Sequence, residues 1–126
     1  MFDVARMARY TEPENQLIVE LYVKNANESK EFYRNLGFQI SRDEGWFVEL
    51  KWEDSRIFLE ETSNASPPEF PTGNIRIVVP NVDDYWILAN KLGVRVIKPI
   101  GDREYGLRDF TIAGPDGLGL RFGTRI

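Results

Sequence analysis

Residues 23–40 read VKNANESKEFYRNLGFQI, and residues 79–96 read VPNVDDYWILANKLGVRV. At an offset of 56 residues, Val23 meets Val79, Asn25 meets Asn81, Glu28 meets Asp84, Leu36 meets Leu92 and Gly37 meets Gly93. Each matched position has a physical job. Asn25 and Asn81 suit the residue that caps a helix, and the acid three positions later sits in the first turn, where the helix macrodipole favours it. Gly37 and Gly93 suit the left-handed residue that closes a helix. Between them, Phe32, Tyr33 and Leu36 in one copy, and Tyr85, Leu88, Ala89 and Leu92 in the other, recur at helical spacing.

Outward from this repeat, a strand precedes each helix. Leu17, Val19, Leu21 and Val23 alternate with Ile18, Glu20 and Tyr22, and Ile75, Ile77 and Val79 alternate with Asn74, Arg76 and Val78. Three further strands follow each helix, near Phe38–Arg42, Trp46–Trp52 and Arg56–Glu61 in the first half and near Val94–Lys98, Leu107–Ala113 and Leu118–Gly123 in the second. Asp54-Ser55 and Gly114-Pro115-Asp116-Gly117 are read as turns. The chain is thus expected to be one α+β domain of two βαβββ modules, about 16–61 and about 74–123, joined by a linker 62–73 that holds Pro67, Pro68 and Pro71, with residues 1–15 as an N-terminal arm.

A helix covers one face of each sheet, so the other face carries the chemistry. The Asp54-Ser55 turn would pair Glu53 with Arg56, Lys51 with Phe58 and Glu49 with Glu60. Val48, Leu50, Ile57 and Leu59 then face the helix. Phe47, Glu49, Lys51, Phe58 and Glu60 face away, joined by Ile18, Glu20 and Tyr22. In the second half Asn74, Arg76, Asp109, Thr111 and Arg121 face away, while Ile75, Ile77, Phe110, Ile112, Leu120 and Phe122 face the helix. Buried charges must be paired or wet. An aromatic and charged concavity of this kind suits a small-molecule site.

Composition narrows the chemistry. The 126 residues contain neither cysteine nor histidine. Disulfides, thiolate nucleophiles, imidazole acid–base catalysis and the two-histidine-one-carboxylate iron site are therefore excluded. The formal net charge is −4 and the isoelectric point about 4.9. Nucleic acid and anionic membranes are poor partners for such a surface. No 18-residue apolar run and no apolar stretch behind Arg6 and Arg9 are found, so the expectation is a cytoplasmic protein.

Val23–Phe38, Glu104-Tyr105-Gly106-Leu107-Arg108-Asp109-Phe110, Gly114-Pro115-Asp116-Gly117 and Leu120-Arg121-Phe122-Gly123 together resemble the vicinal-oxygen-chelate superfamily, also called the glyoxalase/bleomycin-resistance/dioxygenase family, and most closely its bleomycin-resistance-like branch. The resemblance runs from about residue 16 to the C-terminus. It implies two βαβββ modules paired into a cupped, half-barrel mixed sheet, usually in a homodimer. It also implies metal-ligand positions at Ile18, Glu60, Asn74 and Arg121. Of these only Glu60 is an ordinary metal ligand, and Arg121 puts a cation where the metal would lie. No metal, cofactor or catalytic residue is therefore expected. In the binding branch the positions of Phe47 and Tyr105 carry rings that stack on a flat cationic drug. The expected ligand-contacting residues are Tyr22, Phe47, Phe58, Glu60, Arg76, Tyr105 and Arg121.

Plainer readings stand beside these. Phe47 and Phe58 also suit core or dimer packing, and Glu60 with Arg121 suits a structural ion pair. Trp46, Trp52 and Trp86 suit packing. Tyr105 lies in a glycine-flanked loop, Gly101 to Gly106, which favours exposure. The sequence-level function is a metal-free protein that sequesters a planar drug or metabolite. A cationic guest suits the net charge, whereas Arg76, Arg121 and Lys51 argue for an acidic group on it. The alternatives are a metal-dependent lyase, isomerase or dioxygenase, catalysis by Glu49 or Glu60 as a general base without metal, and a structural dimer module without a ligand.

Overall fold

The structure is a computed structural model and describes residues 11–126. It divides into two compact units, the break falling between Ser63 and Asn64. The first holds a short helix α1 (Pro13–Gln16), then β1 (Val19–Val23), α2 (Ala26–Asn35), β2 (Gln39–Asp43), β3 (Phe47–Trp52) and β4 (Ser55–Glu61). The second holds β5 (Gly73–Val78), α3 (Val82–Leu92), β6 (Val96–Asp102), β7 (Leu107–Ala113) and β8 (Leu118–Arg125). From β1 and β5 onward each unit is βαβββ. The expected arm falls partly outside the described residues; within them, Pro13–Gln16 form α1, which packs against β4.

The two sheets have the same topology, β1-β4-β3-β2 and β5-β8-β7-β6. The first strand of each runs parallel to the last, and the other pairings are antiparallel. The helices begin as their caps dictate. Asn25 accepts from the Glu28 backbone N–H at 2.9 Å, and Asn81 accepts from that of Asp83 at 3.2 Å. Gly93 ends α3 in the left-handed conformation at φ 70°.

Each helix seals one sheet face. Under α2, Tyr33, Leu36, Phe38, Val48, Leu50 and Leu59 are buried, and edge-on ring contacts run from Phe32 through Tyr33 and Phe38 to Trp52. Under α3, Phe110, Ile112, Leu120 and Phe122 are fully buried. Tyr85 stacks on Phe122, and Trp86 lies against Phe110. Fully burying such side chains contributes about 1.5–3 kcal/mol each.

Long-range caps close both units. The Glu61 carboxylate accepts from the Ala26 N–H at 2.9 Å. In the second unit the Thr124 hydroxyl accepts from the Val82 N–H and donates to the Val79 carbonyl, each at 2.8 Å. The last strand thus satisfies a helix-start donor that the helix itself cannot.

Several expected details shift. The β3–β4 turn is Glu53-Asp54, not Asp54-Ser55: Trp52 pairs with Ser55, Lys51 with Arg56, Glu49 with Phe58 and Phe47 with Glu60. Glu53 takes a left-handed φ of 50°. Moving a two-residue turn by one position moves the register by two, so every side chain keeps its face. β1 begins at Val19 rather than Leu17, and Leu17 and Val19 are exposed. β5 begins at Gly73, inside the expected linker, and β6 lies further along, at Val96–Asp102. No described helix is long and apolar enough to cross a membrane.

Two substitutions test this reading in urea denaturation. Thr124→Val keeps the shape but removes both hydroxyl bonds, and should cost about 1–2 kcal/mol. Glu53→Gly should stabilise by about 0.5–1 kcal/mol by relieving the left-handed backbone, offset in part by glycine's chain entropy.

Candidate functional site

On the helix-free face of the first unit, Glu60 lies in register between Tyr22 on β1 and Phe47 on β3. The next row holds Glu20, Phe58 and Glu49. The Phe47 and Phe58 rings meet edge-on with centroids 5.2 Å apart. Trp46 lies 5.7 Å from Phe47, and the Arg42 guanidinium carbon sits 5.5 Å from its ring centroid. Ser41, at the register shift of β2, donates to the Glu49 carboxylate at 2.7 Å. Tyr22, Phe47, Phe58 and Glu60 are thus brought together on one surface, Tyr22 exposed and the others half-buried.

On the helix-free face of the second unit, the matching surface is built of cations. Arg76, Arg121, Thr111 and Lys98 form one row across β5, β8, β7 and β6. The Arg121 Nε lies 3.5 Å from the Thr111 hydroxyl. An open cleft of about 350 Å³ adjoins the row, lined by Phe70–Asn74, Ile97, Lys98, Thr111 and Arg121. Asn74 lies across the strand beside it: a Cβ on Gly119 would come 2.1 Å from its side-chain oxygen.

Tyr105 belongs to the same unit, and its place follows from a buried charge. Asp109 is fully buried. Its Oδ1 accepts from Arg103 Nε at 2.8 Å, and its Oδ2 accepts from the Tyr105 hydroxyl at 2.5 Å. Arg103 also donates to the Asp109 carbonyl at 3.1 Å. Its guanidinium occupies the space that a Cβ on Gly101 would fill, 3.0 Å away. The β6–β7 hairpin sets this up. Arg103 N–H donates to the Leu107 carbonyl, Gly106 N–H donates to the Arg103 carbonyl, and Gly106 takes φ 88°. That is a three-residue loop with a glycine bulge, and it holds Tyr105 over the strand. The residue stays 52% exposed while its hydroxyl is tied down. It is a fixed aromatic surface, not a free loop tip.

The charges respond accordingly. Burial alone would raise the Asp109 pKa, but the bonds from Arg103 and Tyr105 and the charges of Arg103 and Arg121 outweigh it and hold it below the usual carboxylate value. The same bond to Asp109, with burial and the carboxylate's charge, pushes the Tyr105 phenol up.

Four of the expected ligand-contacting residues therefore meet on the first unit, and Arg76, Arg121 and Tyr105 lie on the second. Lys98 and Arg103 were not anticipated. Strict alternation puts Lys98 on the face of Val96, but the register shift between these residues brings Lys98 opposite Thr111.

The model of the Glyoxalase/Bleomycin resistance protein/Dioxygenase superfamily matches residues 15–122. The chain belongs to this superfamily and has its α+β fold. A crystal structure of a glyoxalase/bleomycin resistance protein/dioxygenase from Nocardioides is similar at TM-score 0.75 and 17% identity, over 98% of this chain and 90% of that one. TioX from Micromonospora sp. ML1 is similar at TM-score 0.69 and 16% identity, over 87% and 98%. A bleomycin resistance determinant encoded on the transposon Tn5 is similar at TM-score 0.65 and 17% identity, over 88% and 98%. No curated protein matches the chain.

The side chains present do not fit the metal that this superfamily's enzymes use. Among the described residues no three Asp or Glu side chains gather as a metal-binding group. Of the positions the resemblance assigns, Glu60 stands between two aromatic residues, Asn74 lies against Gly119, and Arg121 brings a guanidinium.

Asp109→Asn tests the tyrosine anchor. It should destabilise the protein by about 3 kcal/mol, because Arg103 loses its buried partner. It should also lower the Tyr105 pKa toward the ordinary phenol value. The first is read by denaturation and the second by ultraviolet titration of the phenol, with Tyr105→Phe as the control that assigns the signal.

Proposed function

We propose that this protein is a metal-free small-molecule binder that sequesters a planar drug or metabolite, resembling bleomycin-resistance proteins in mode of action, and that it works as a homodimer. The observation that carries the reading is the pairing of fixed rings with charge. Phe47 and Phe58 form an edge-on pair beside Glu60, and Tyr105 is held open by a buried carboxylate. Rings with a settled orientation lose little entropy when a flat ligand stacks on them, and each aromatic pair is worth about 0.5–1.5 kcal/mol beyond area burial. The ligand-contacting residues of this reading are Tyr22, Phe47, Phe58, Glu60, Arg76, Tyr105 and Arg121. The donor mismatch at Ile18, Asn74 and Arg121 supports binding without a metal. The bleomycin resistance determinant among the structural relatives supports a drug as the guest.

The test is calorimetric titration of the purified protein with bleomycin and with neutral planar aromatics such as 2-naphthalenemethanol. Saturable binding is expected, weakened about tenfold by Phe47→Ala and by Tyr105→Ala. Native mass spectrometry should show a dimer. Binding by none of these compounds would sink the reading. Stoichiometric nickel, zinc or iron lost on Glu60→Gln would favour the metal-dependent alternative instead.

A further inference from the structure

The helix-free faces of the two units are built alike but charged differently. On the first, Lys51 and Arg56 share a surface with Glu20, Glu49 and Glu60, so each sign has a counterpart nearby. On the second, Arg76, Arg121, Lys98 and Arg103 share a surface with the carboxylate of Asp109, which pairs with Arg103. Asp109 is already committed, one oxygen to Arg103 and the other to Tyr105. Arg76 and Arg121 stand directly opposite each other across β5 and β8. Like charges opposed across a ladder destabilise the sheet. Among the described residues neither forms an ion pair within 4.0 Å; Arg121 has the long contact with Thr111 and feels the charge of Asp109. Arg121, Thr111 and Lys98 line the open cleft and Arg76 extends their row by one strand, so two guanidinium groups, an ammonium and a hydroxyl make a receptor for negatively charged oxygen.

We propose that the row Arg76–Arg121–Thr111–Lys98 binds an oxyanion carried by the ligand, a carboxylate or a phosphate, so that the guest is a planar anion. This rests on the binding function proposed above and names its ligand class. It decides between the cationic and acidic guests that net charge and groove composition leave open. The protein's overall charge of −4 slows the approach of an anion. Once the anion is seated, though, paired donors at contact distance outweigh a diffuse field screened over about 8–10 Å.

The experiment uses three naphthalenes of one shape: 2-naphthoate, neutral 2-naphthalenemethanol and cationic 2-naphthylmethylamine. Each is titrated calorimetrically at low salt. Expected is a preference for 2-naphthoate of at least about tenfold over the neutral compound, with the amine weakest. Arg76→Gln and Arg121→Gln should each remove most of that preference, weakening 2-naphthoate more than the neutral compound. Arg76 is exposed, and removing it relieves repulsion, so Arg76→Gln should melt no lower than wild type. Weaker binding by that variant then cannot be misfolding. Inorganic phosphate and 2-naphthyl phosphate separate the sources: competition by both with 2-naphthoate confirms a shared oxyanion site. Equal affinity for all three naphthalenes, or a preference untouched by both substitutions, overturns this proposal and leaves small-molecule binding standing. Binding by none of them overturns both.

Discussion

The constraint behind both units is that one helix covers one side of each four-stranded sheet. Strands alternate, so every residue that packs under the helix forces its neighbours out on the opposite side. On β7 and β8, Phe110, Ile112, Leu120 and Phe122 are fully buried. Asp109, Thr111 and Arg121 therefore point the other way, whatever their polarity. A buried carboxylate there is tolerable only if it is satisfied. Arg103 and Tyr105 satisfy it from the hairpin immediately before it in the chain. The ring a ligand would meet is thus positioned by the needs of a charge that no ligand touches.

The same alternation explains what could be read from the residues. The repeated helices, their asparagine caps and their closing glycines are local features and stand where the pattern puts them. Even the misplaced β3–β4 turn left the faces intact, because its error moved the register by an even number. β6 is different. It pairs irregularly with β7 at two places, and each shift breaks the count on which alternation depends. Lys98 consequently joins the arginines, a placement no periodicity gives. Pro99, on this edge strand, lacks a backbone donor for a regular ladder. The long-range caps were equally hidden. Glu61 reaches Ala26 and Thr124 reaches Val82 only once a parallel strand pair has brought the ends of each unit together.

The two units share one scaffold and present different side chains on it. The first presents rings among balanced charges. The second presents cations whose one neighbouring carboxylate is spent inside the fold. The metal positions implied by the resemblance fall in both units, and Glu60 is the one ordinary metal ligand among them, beside Ile18, Asn74 and Arg121. On the proposed reading, a guanidinium at one of these positions favours an oxyanion on the guest, with the strands left as they were.

The Tyr105–Asp109–Arg103 network also sets the pH range over which the aromatic surface keeps its shape. The Asp109 pKa is depressed in the folded protein. Its stabilisation is therefore present above the unfolded carboxylate value and is lost as pH falls through the folded one. The Tyr105 pKa is raised. Its stabilisation is complete below the unfolded phenol value near 10 and is lost as pH rises through the folded one. Between those limits neither Asp109 nor Tyr105 changes its protonation. Across the neutral range the hydroxyl always has its acceptor, and the ring is held at a fixed tilt. A histidine in place of any member would have put a titration inside that range. The chain has none, and the orientation of the Tyr105 ring is therefore set by hydrogen bonds that neutral pH cannot switch.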